Sequence, residues 1–488
     1  MSIHWPIIRT CLRHPFEIGV TDDTRSYRRI EILVAAFNLA DAIDKACVGK
    51  SGPVGIMLPS SGAFPIAALA AWISGRVIVP LNFLLKQEEL QYVIDDCGCS
   101  LIVTSRALIE HLGYRPERAT LMEMESLDLK RVPEPRFPAM ACKDDLALLL
   151  YTSGTSGKPK GVMLTHGNIS VNIRQCIDWV GFTKEEVLLG VLPQFHTFGL
   201  TVLTMLPLTR GCKVVYSARF MPPRIIKLFR QHRPTAMIAI PSMYNALLHV
   251  KDAGPADFAS LKYAVSGGEP LPDAVANGFF DRYQVRIAEG YGLTETSPVT
   301  NWCRPQDYRA HSVGAPLPGV RERIVDPETG VTLGANADGE VRIKGPNVFQ
   351  GYYRLPQESA AAFDAEGWFK TGDIGRFSDD GQLSITGRLK DMLIIGGENV
   401  FPREIEEVIN HHPSVKDSGV VGMKDPMRGE QPVAFVELKE GQTFDQQSIV
   451  SLCRTKLAGY KVPEVRCVEA LPRNATGKVL RRELRKLL

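Results

Sequence analysis

The chain has 488 residues, a formal net charge of +3, 44% hydrophobic residues and ten cysteines. That length exceeds what one apolar core organises, so two or more domains are expected, and the near-balanced charge gives no electrostatic case for nucleic acid or an anionic membrane as partner. Cys97 and Cys99 form the only close pair, with no C-x-x-C arrangement to mark zinc, and Met1-Ser-Ile-His-Trp-Pro shows no signal-peptide pattern. Reduced thiols in the cytoplasm are therefore expected. The apolar run from Ala63 to Ile73 is too short to span a bilayer and reads as a core helix.

From Pro53 onward, short β-rich runs alternate with helical patterns. Val54–Leu58 precedes the helix after Ser60-Ser61, then come Val77–Val79, a helix through Glu88-Glu89-Leu90, and Leu101–Val103. This predicts a mostly parallel sheet covered on both faces. Leu146–Leu150 and Gly161–Leu164 read as strands, and between them lies Thr152-Ser-Gly-Thr-Ser-Gly157, followed by Lys158, Pro159 and Lys160. Glycine lets backbone approach closely and short hydroxyls donate to phosphate oxygens, so this stretch reads as a polyphosphate cradle; a flexible Gly/Ser turn is the plainer alternative. A Walker loop is excluded, because Pro159 follows Lys158, Thr152 stands where the first glycine is needed, and no helix opens there.

Further strands are expected at Val187–Leu192, Lys213–Tyr216, Ala236–Ile240, Tyr263–Val265 and Val285–Ala288, each separated by a helical pattern. In open α/β sheets ligands bind outside the carboxyl ends of strands, where several polar motifs of this chain fall. Past Pro298 glycines and prolines multiply, and alternating runs such as Gly339–Lys344 predict a β-rich subdomain or barrel. After the charged Gly387-Arg-Leu-Lys390, a compact mixture follows: a helix Arg403–Asn410, strands near Val415–Val421 and Val433–Leu438, a helix Gln446–Leu457, a strand Val465–Val468 and a basic terminal helix. The chain reads as an α/β protein with a separate small α+β domain from Asp391 to Leu488.

Phe195-His196-Thr-Phe-Gly199, Ser266-Gly-Gly-Glu-Pro270, Tyr291-Gly-Leu-Thr-Glu-Thr-Ser-Pro298, Thr371-Gly-Asp373, Gly387-Arg388-Leu-Lys-Asp391 and Asn474-Ala-Thr-Gly-Lys478 follow the phosphate loop in that order. Together they closely resemble the adenylate-forming superfamily, closest to acyl-CoA synthetases, over nearly the whole chain. The resemblance implies a fold of two doubly wound α/β sheet subdomains plus a β-rich subdomain over residues 1–388, a hinge at 389–390, and a small mobile C-terminal domain over 391–488. It implies that a carboxylate attacks the α-phosphorus of ATP to give acyl-AMP and pyrophosphate, and that a thiol then takes the acyl group.

By that resemblance Thr152, Ser153, Gly154, Thr155, Ser156, Gly157 and Lys160 hold phosphates, Thr294 touches the α-phosphate, and Glu295 holds Mg²⁺, a hard cation that prefers oxygen. Gly268, Glu269 and Pro270, with Glu289, Gly290, Tyr291 and Gly292, enclose the adenine, while Asp373 and Arg388 meet the ribose. Lys478 is the decisive cation, against the plain alternative of a solvated surface lysine. His196 borders the acyl channel, either as a gate or as a structural histidine. Lys390 is the pivot, and Gly396, Gly397 and Glu398 line the CoA tunnel unless they form an ordinary glycine turn.

The acyl pocket is expected from His196, Phe198, Met237, Tyr244, Val265, Gly267 and Thr296, with no buried acid or base to pair with an ammonium group. A medium- or long-chain fatty acid is the expected substrate, with an aryl acid as alternative. Carrier-protein ligases of the superfamily have an insertion near the hinge that the run Lys390–Gly396 lacks, so coenzyme A is expected as acceptor and an acyl carrier protein is the alternative partner. The tail Arg481-Arg482-Glu-Leu-Arg485-Lys486 reads as a solvated amphipathic face, with CoA phosphates as the other possibility.

Overall fold

Apolar runs bounded by turn residues form the strands of four sheets in the computed structural model, which describes residues 2–49, 51–153, 158–396, 398–473 and 479–488. The largest sheet has eight strands, in the spatial order Val299–Trp302, Ala288–Gly292, Tyr263–Ser266, Ala236–Ala239, Val187–Gly190, Lys213–Tyr216, Ile18–Thr21 and Ser26–Arg28. Its middle is parallel, and both edge strands run antiparallel to their neighbours. A six-stranded sheet orders Thr120–Glu123, Leu101–Thr104, Val54–Met57, Ile78–Pro80, Leu146–Ser153 and Pro159–Thr165.

The third sheet is an open antiparallel meander of four strands, Arg321–Val325, Gly339–Lys344, Phe369–Phe377 and Leu383–Arg388, rather than a barrel. One apolar cluster joins it to both larger sheets: Phe64, Leu148, Leu188, Val214, Ile343 and Phe369 all belong to it. The helix Ala63–Ile73 lies inside that cluster with every residue from Phe64 onward buried, as its unbroken apolar character dictates.

One expected strand is misplaced. Pairing with Val265 and Ser266 begins at Ala288 and the strand runs Ala288–Gly292, later than Val285–Ala288. The preceding helix Asp273–Tyr283 ends on Gln284 in the left-handed conformation, φ 59°, and the chain needs Val285–Ile287 to descend to sheet level.

From Leu393 onward the chain has an apolar core of its own, built from Leu393, Val400, Ile405, Val420, Ala434 and Ile449. Around it the strands Glu398–Val400, Leu393–Ile395, Gly429–Leu438 and Val415–Asp425 form an antiparallel sheet, and Glu464–Val468 pairs parallel with Gly429–Leu438. The helix Pro402–Asn410 of this small lobe touches the rest of the chain: Arg403 Nη1 donates to Ile385 O, and His411 Nε2 lies 3.5 Å from Asp273 Oδ2. Arg481, at the start of the terminal helix, is not solvated. Its guanidinium grips both oxygens of Glu406 at 2.7 and 2.8 Å and lies 3.3 Å from Asp391, which ties the tail to the lobe's first turn.

Candidate active site

The hairpin Leu146–Ser153/Pro159–Thr165 carries Thr152 opposite Lys160 and Ser153 opposite Pro159. An antiparallel strand therefore follows the loop where a Walker motif needs a helix. The phosphate-loop residues Gly154, Thr155, Ser156 and Gly157, and the side chain of Ser153, lie outside the described residues. Behind the hairpin, Thr165 caps the helix His166–Val180 by accepting from Asn168 N at 3.0 Å. The Asn168 amide then donates to Pro346 O and Val348 O at 2.8 and 2.9 Å. That clamp sets the next segment, where Phe349 N donates to Glu295 O at 2.8 Å.

Glu295 is half-buried, and its Oε1 accepts from the Tyr352 hydroxyl at 3.0 Å. Burial pushes its carboxyl above the ordinary range, and the backbone and Tyr352 hydrogen bonds pull the other way. Lys160 Nζ stands 5.4 Å from the centroid of the Tyr352 ring, so hairpin lysine and motif glutamate meet across one tyrosine. Beside Glu295, Thr294 Oγ1 accepts from Thr197 Oγ1 at 3.1 Å, which links the turn Thr294–Thr296 to the segment after His196.

At the other end, Asp373 is 3% exposed. Tyr291 donates to its Oδ2 at 2.7 Å and Arg388 Nε lies 2.7 Å from its Oδ1. Burial, then the adjacent Asp373 charge, holds the Tyr291 phenol well above its ordinary pKa, so it stays a donor. A carboxylate has about four acceptor sites, so Asp373 retains capacity for further hydroxyls.

Between these groups opens a cavity of about 390 Å³. Gly268, Glu269, Gly290, Tyr291, Gly292 and Thr294 line its polar side, and His196, Phe198, Ile240, Met243, Val265, Gly267, Val299 and Trp302 line the apolar remainder. Close packing demands glycine at one of these positions and leaves little room at a second. A Cβ on Gly292 would stand 1.9 Å from Pro298 O, and one on Gly267 would stand 3.0 Å from the Phe198 ring.

Several expected lining residues are elsewhere. Met237 and Tyr244 are wholly buried in the cluster with Leu189 and Phe279, where the Tyr244 hydroxyl donates to Met237 O at 2.8 Å and Val265 O at 3.1 Å. Thr296 is wholly buried with its hydroxyl turned to Leu293 O at 3.0 Å, so it shapes the turn rather than the pocket. Glu289 does not line the cavity either; its Oε2 accepts from Leu271 N at 3.3 Å and fastens the Ser266–Pro270 loop to the strand. Pro270 is exposed.

Ile240, Met243, Val299 and Trp302 were missed from the sequence. The last two sit on a strand that folds back on the Tyr291 motif, Tyr291 opposite Asn301, and that antiparallel return was the available signal.

His196 is half-buried beside the cavity. Desolvation pulls its pKa down to about 4, so the ring is neutral near pH 7, and its Nε2 has no partner among the described residues. Its ring lies 4.8 Å from Phe195, which meets Phe83 edge-on at 5.2 Å. Lys390 lies exposed in the turn Leu389–Asp391. Gly396 and Glu398 are exposed at the tip of the Leu393–Val400 hairpin and do not line the cavity. Lys478 and Gly397 lie outside the described residues.

Residues 9–353 match the model of the AMP-binding enzyme family, and residues 404–478 that of the AMP-binding enzyme C-terminal domain. A long-chain-fatty-acid–CoA ligase of Bacillus subtilis is 32% identical, covering 93% of this chain and 89% of its own. A feruloyl-CoA synthase of Amycolatopsis is also 32% identical, covering 99% and 98% respectively. The ATP-bound crystal structure of MatB from Rhodopseudomonas palustris superposes with a TM-score of 0.91 at 30% identity, over 100% of this chain and 99% of that one. With the hairpin Leu146–Ser153/Pro159–Thr165, a Tyr291–Asp373–Arg388 wall and a separately cored small lobe, the chain belongs to the AMP-binding enzyme family and is an adenylate-forming enzyme.

Proposed function

We propose that this adenylate-forming enzyme is an ATP-dependent acid–CoA ligase whose acid is an apolar monocarboxylate, a medium- or long-chain fatty acid before an aryl acid. The observation that carries this is the lining of the cavity: Phe198, Ile240, Met243, Val265, Val299 and Trp302 present hydrocarbon, and no lysine, arginine or aspartate lines it among the described residues. A second carboxylate on the acid would be buried there beside Glu269 without a counter-charge, at a cost of several kcal/mol. The rings of Phe198 and Trp302, and the feruloyl-CoA synthase relative, favour a flat aryl acid as the second reading.

In this reading the Thr152–Lys160 hairpin receives the β- and γ-phosphates, Asp373 accepts the ribose hydroxyls, and Thr294 donates to the α-phosphate. Lys478 brings an ammonium group to the carboxylate as it attacks phosphorus. These are fixed donors and cations directed at the charge that grows on the phosphates. Lys390 serves as pivot between residues 1–388 and 391–488, and the hairpin bearing Gly396, Gly397 and Glu398 approaches the pantetheine thiol after the lobe turns.

Glu295 suits a divalent cation. It is a half-buried carboxylate with Tyr352 as its side-chain donor, and among the described residues it has no salt-bridge partner and no set of three or more His, Cys, Asp or Glu forms a metal cage. One protein carboxylate plus substrate phosphates is the usual site for Mg²⁺, which would supply charge neutralisation there.

No helix among the described residues is long and apolar enough to cross a membrane, and none of the ten cysteines is in a disulfide, which supports placing the enzyme in the cytoplasm. The test is pyrophosphate release across a panel of fatty, aryl and dicarboxylic acids, with CoA or an acyl carrier protein as acceptor. Apolar monocarboxylates with CoA should react at least tenfold faster than dicarboxylates, about 1.4 kcal/mol in the barrier. Turnover confined to carrier protein, or fastest with a dicarboxylate, rejects the reading.

A further inference from the structure

On the meander sheet that backs the pocket sits a carboxyl with no role in the reading above. Glu322 lies on Arg321–Val325 opposite Ile343, and Ile343 lies opposite Phe369, which places all three on the face turned to the large sheet. Its Oε2 accepts from Asn301 Nδ2 at 3.1 Å, while its Oε1 is shut from solvent and has no partner among the described residues.

Asn301 lines the cavity and stands opposite Tyr291 in the antiparallel ladder. The same amide donates to Gly314 O at 3.2 Å, and its oxygen accepts from Thr300 at 2.8 Å. Glu322 thus contributes to fixing the residue paired with Tyr291, whose hydroxyl reaches Asp373.

The charges around it are already committed. Arg323 and Arg342 lie on the opposite face of the meander, the first paired with Asp364 and Glu366 and the second with Glu340 and Asp364. Arg321 is exposed over the Trp368 ring at 5.7 Å. From Gly339–Lys344 the facing residue is Ile343, and from Val299–Trp302 the polar groups are Thr300 and Asn301. From Ala288–Gly292 the titratable group is the Tyr291 phenol, donating to Asp373, whose other oxygen is held by Arg388. No cation offsets an ionised Glu322 on its own side among the described residues, and burial raises its carboxyl to about 7.

We propose that Glu322 is a positioning residue of the nucleotide pocket: through Asn301 it holds the wall that carries Tyr291, and its ionisation weakens nucleotide binding. Ionised, it places a second negative charge near Tyr291 and Asp373, where the adenosine and then the phosphates must settle, and nothing on that side screens it. The inference rests on the adenylate-forming reading of the pocket.

The experiment measures the dissociation constant of AMP by calorimetry at pH 6 and pH 8.5 for the wild type and Glu322→Gln. The AMP phosphate titrates equally for both proteins, so the difference between their pH slopes isolates the carboxyl. Affinity of the wild type should fall by roughly tenfold more than that of the variant, equivalent to about one pKa unit of coupling. Equal slopes with normal AMP binding overturn the role of Glu322 alone. Failure of the wild type to bind AMP at either pH overturns the nucleotide reading and this inference with it.

If the variant does not fold, the wild type carries the test with adenosine, which has no ionisable group in this range. Adenosine binding at pH 7.5 should take up a proton, read from calorimetry in buffers of different ionisation enthalpy. Binding without proton uptake overturns the proposal.

Discussion

The pocket wall and the small-lobe hairpin treat their polar groups in opposite ways. In the wall Asp373 is 3% exposed, with one oxygen on Tyr291 and the other on Arg388 before any nucleotide arrives. In the hairpin Leu393–Val400, Ile394 is 52% exposed, and Gly396, Glu398 and Asn399 also face solvent. Preorganised dipoles cost no rearrangement when charge develops beside them, which suits the nucleotide contact proposed for this wall. An exposed apolar residue at a glycine-bearing tip is costly only while it has nothing to cover it, which suits the approach to the thiol proposed for this hairpin.

The sharpest way to break this comparison is Asp373→Ala. It removes the acceptor from the half-buried Tyr291 hydroxyl and from Arg388 beside it, so AMP affinity should drop at least a hundredfold, about 2.7 kcal/mol, as read by calorimetry. A loss below threefold means that the wall does not hold the nucleotide.

Gly267→Ala separates the two sides of the cavity. The new methyl would stand 3.0 Å from the Phe198 ring and push it toward the acid, so KM for the acid should rise roughly fivefold, about 1 kcal/mol, with AMP affinity unchanged. Equal effects on both ligands would merge the two sides into one.

The smallest static effect belongs to the hairpin. Ile394→Asp should alter stability by no more than about 0.5 kcal/mol, because the side chain has little packing to lose. It should leave pyrophosphate release intact while slowing the transfer of supplied acyl-AMP to CoA several-fold in single turnover. Loss of pyrophosphate release instead would assign the hairpin to the first half-reaction.

Local pattern made much of this molecule legible. The hydroxyl-rich turn between two apolar runs is a hairpin, because the apolar Val162–Leu164 after Pro159 continue as a strand that pairs back on Leu148–Leu150. The helix Ala63–Ile73 needed nothing beyond its unbroken apolar composition. The strand Ala288–Gly292 was misread because Val285 and Ile287 carry strand-like side chains while the chain is still crossing from helix to sheet. In the tail Arg482, Arg485 and Lys486 are exposed as expected, and only Arg481 departs, because Glu406 and Asp391, distant in sequence, are brought against it.

The order and spacing of its motifs determined the chemistry of this chain, since phosphate, ribose and carboxylate each require particular donors that few sequences supply together. The tertiary structure alone decided which side chains face the cavity. Met237 and Tyr244 are as apolar or aromatic as Met243 and Trp302, yet the first pair is turned into the core and the second toward the ligand. Facing depends on strand register and helix rotation against neighbours far along the chain, and composition carries no record of either. The same holds for Glu322, an unremarkable glutamate in sequence whose Oε1 is shut from water only because two sheets close over it.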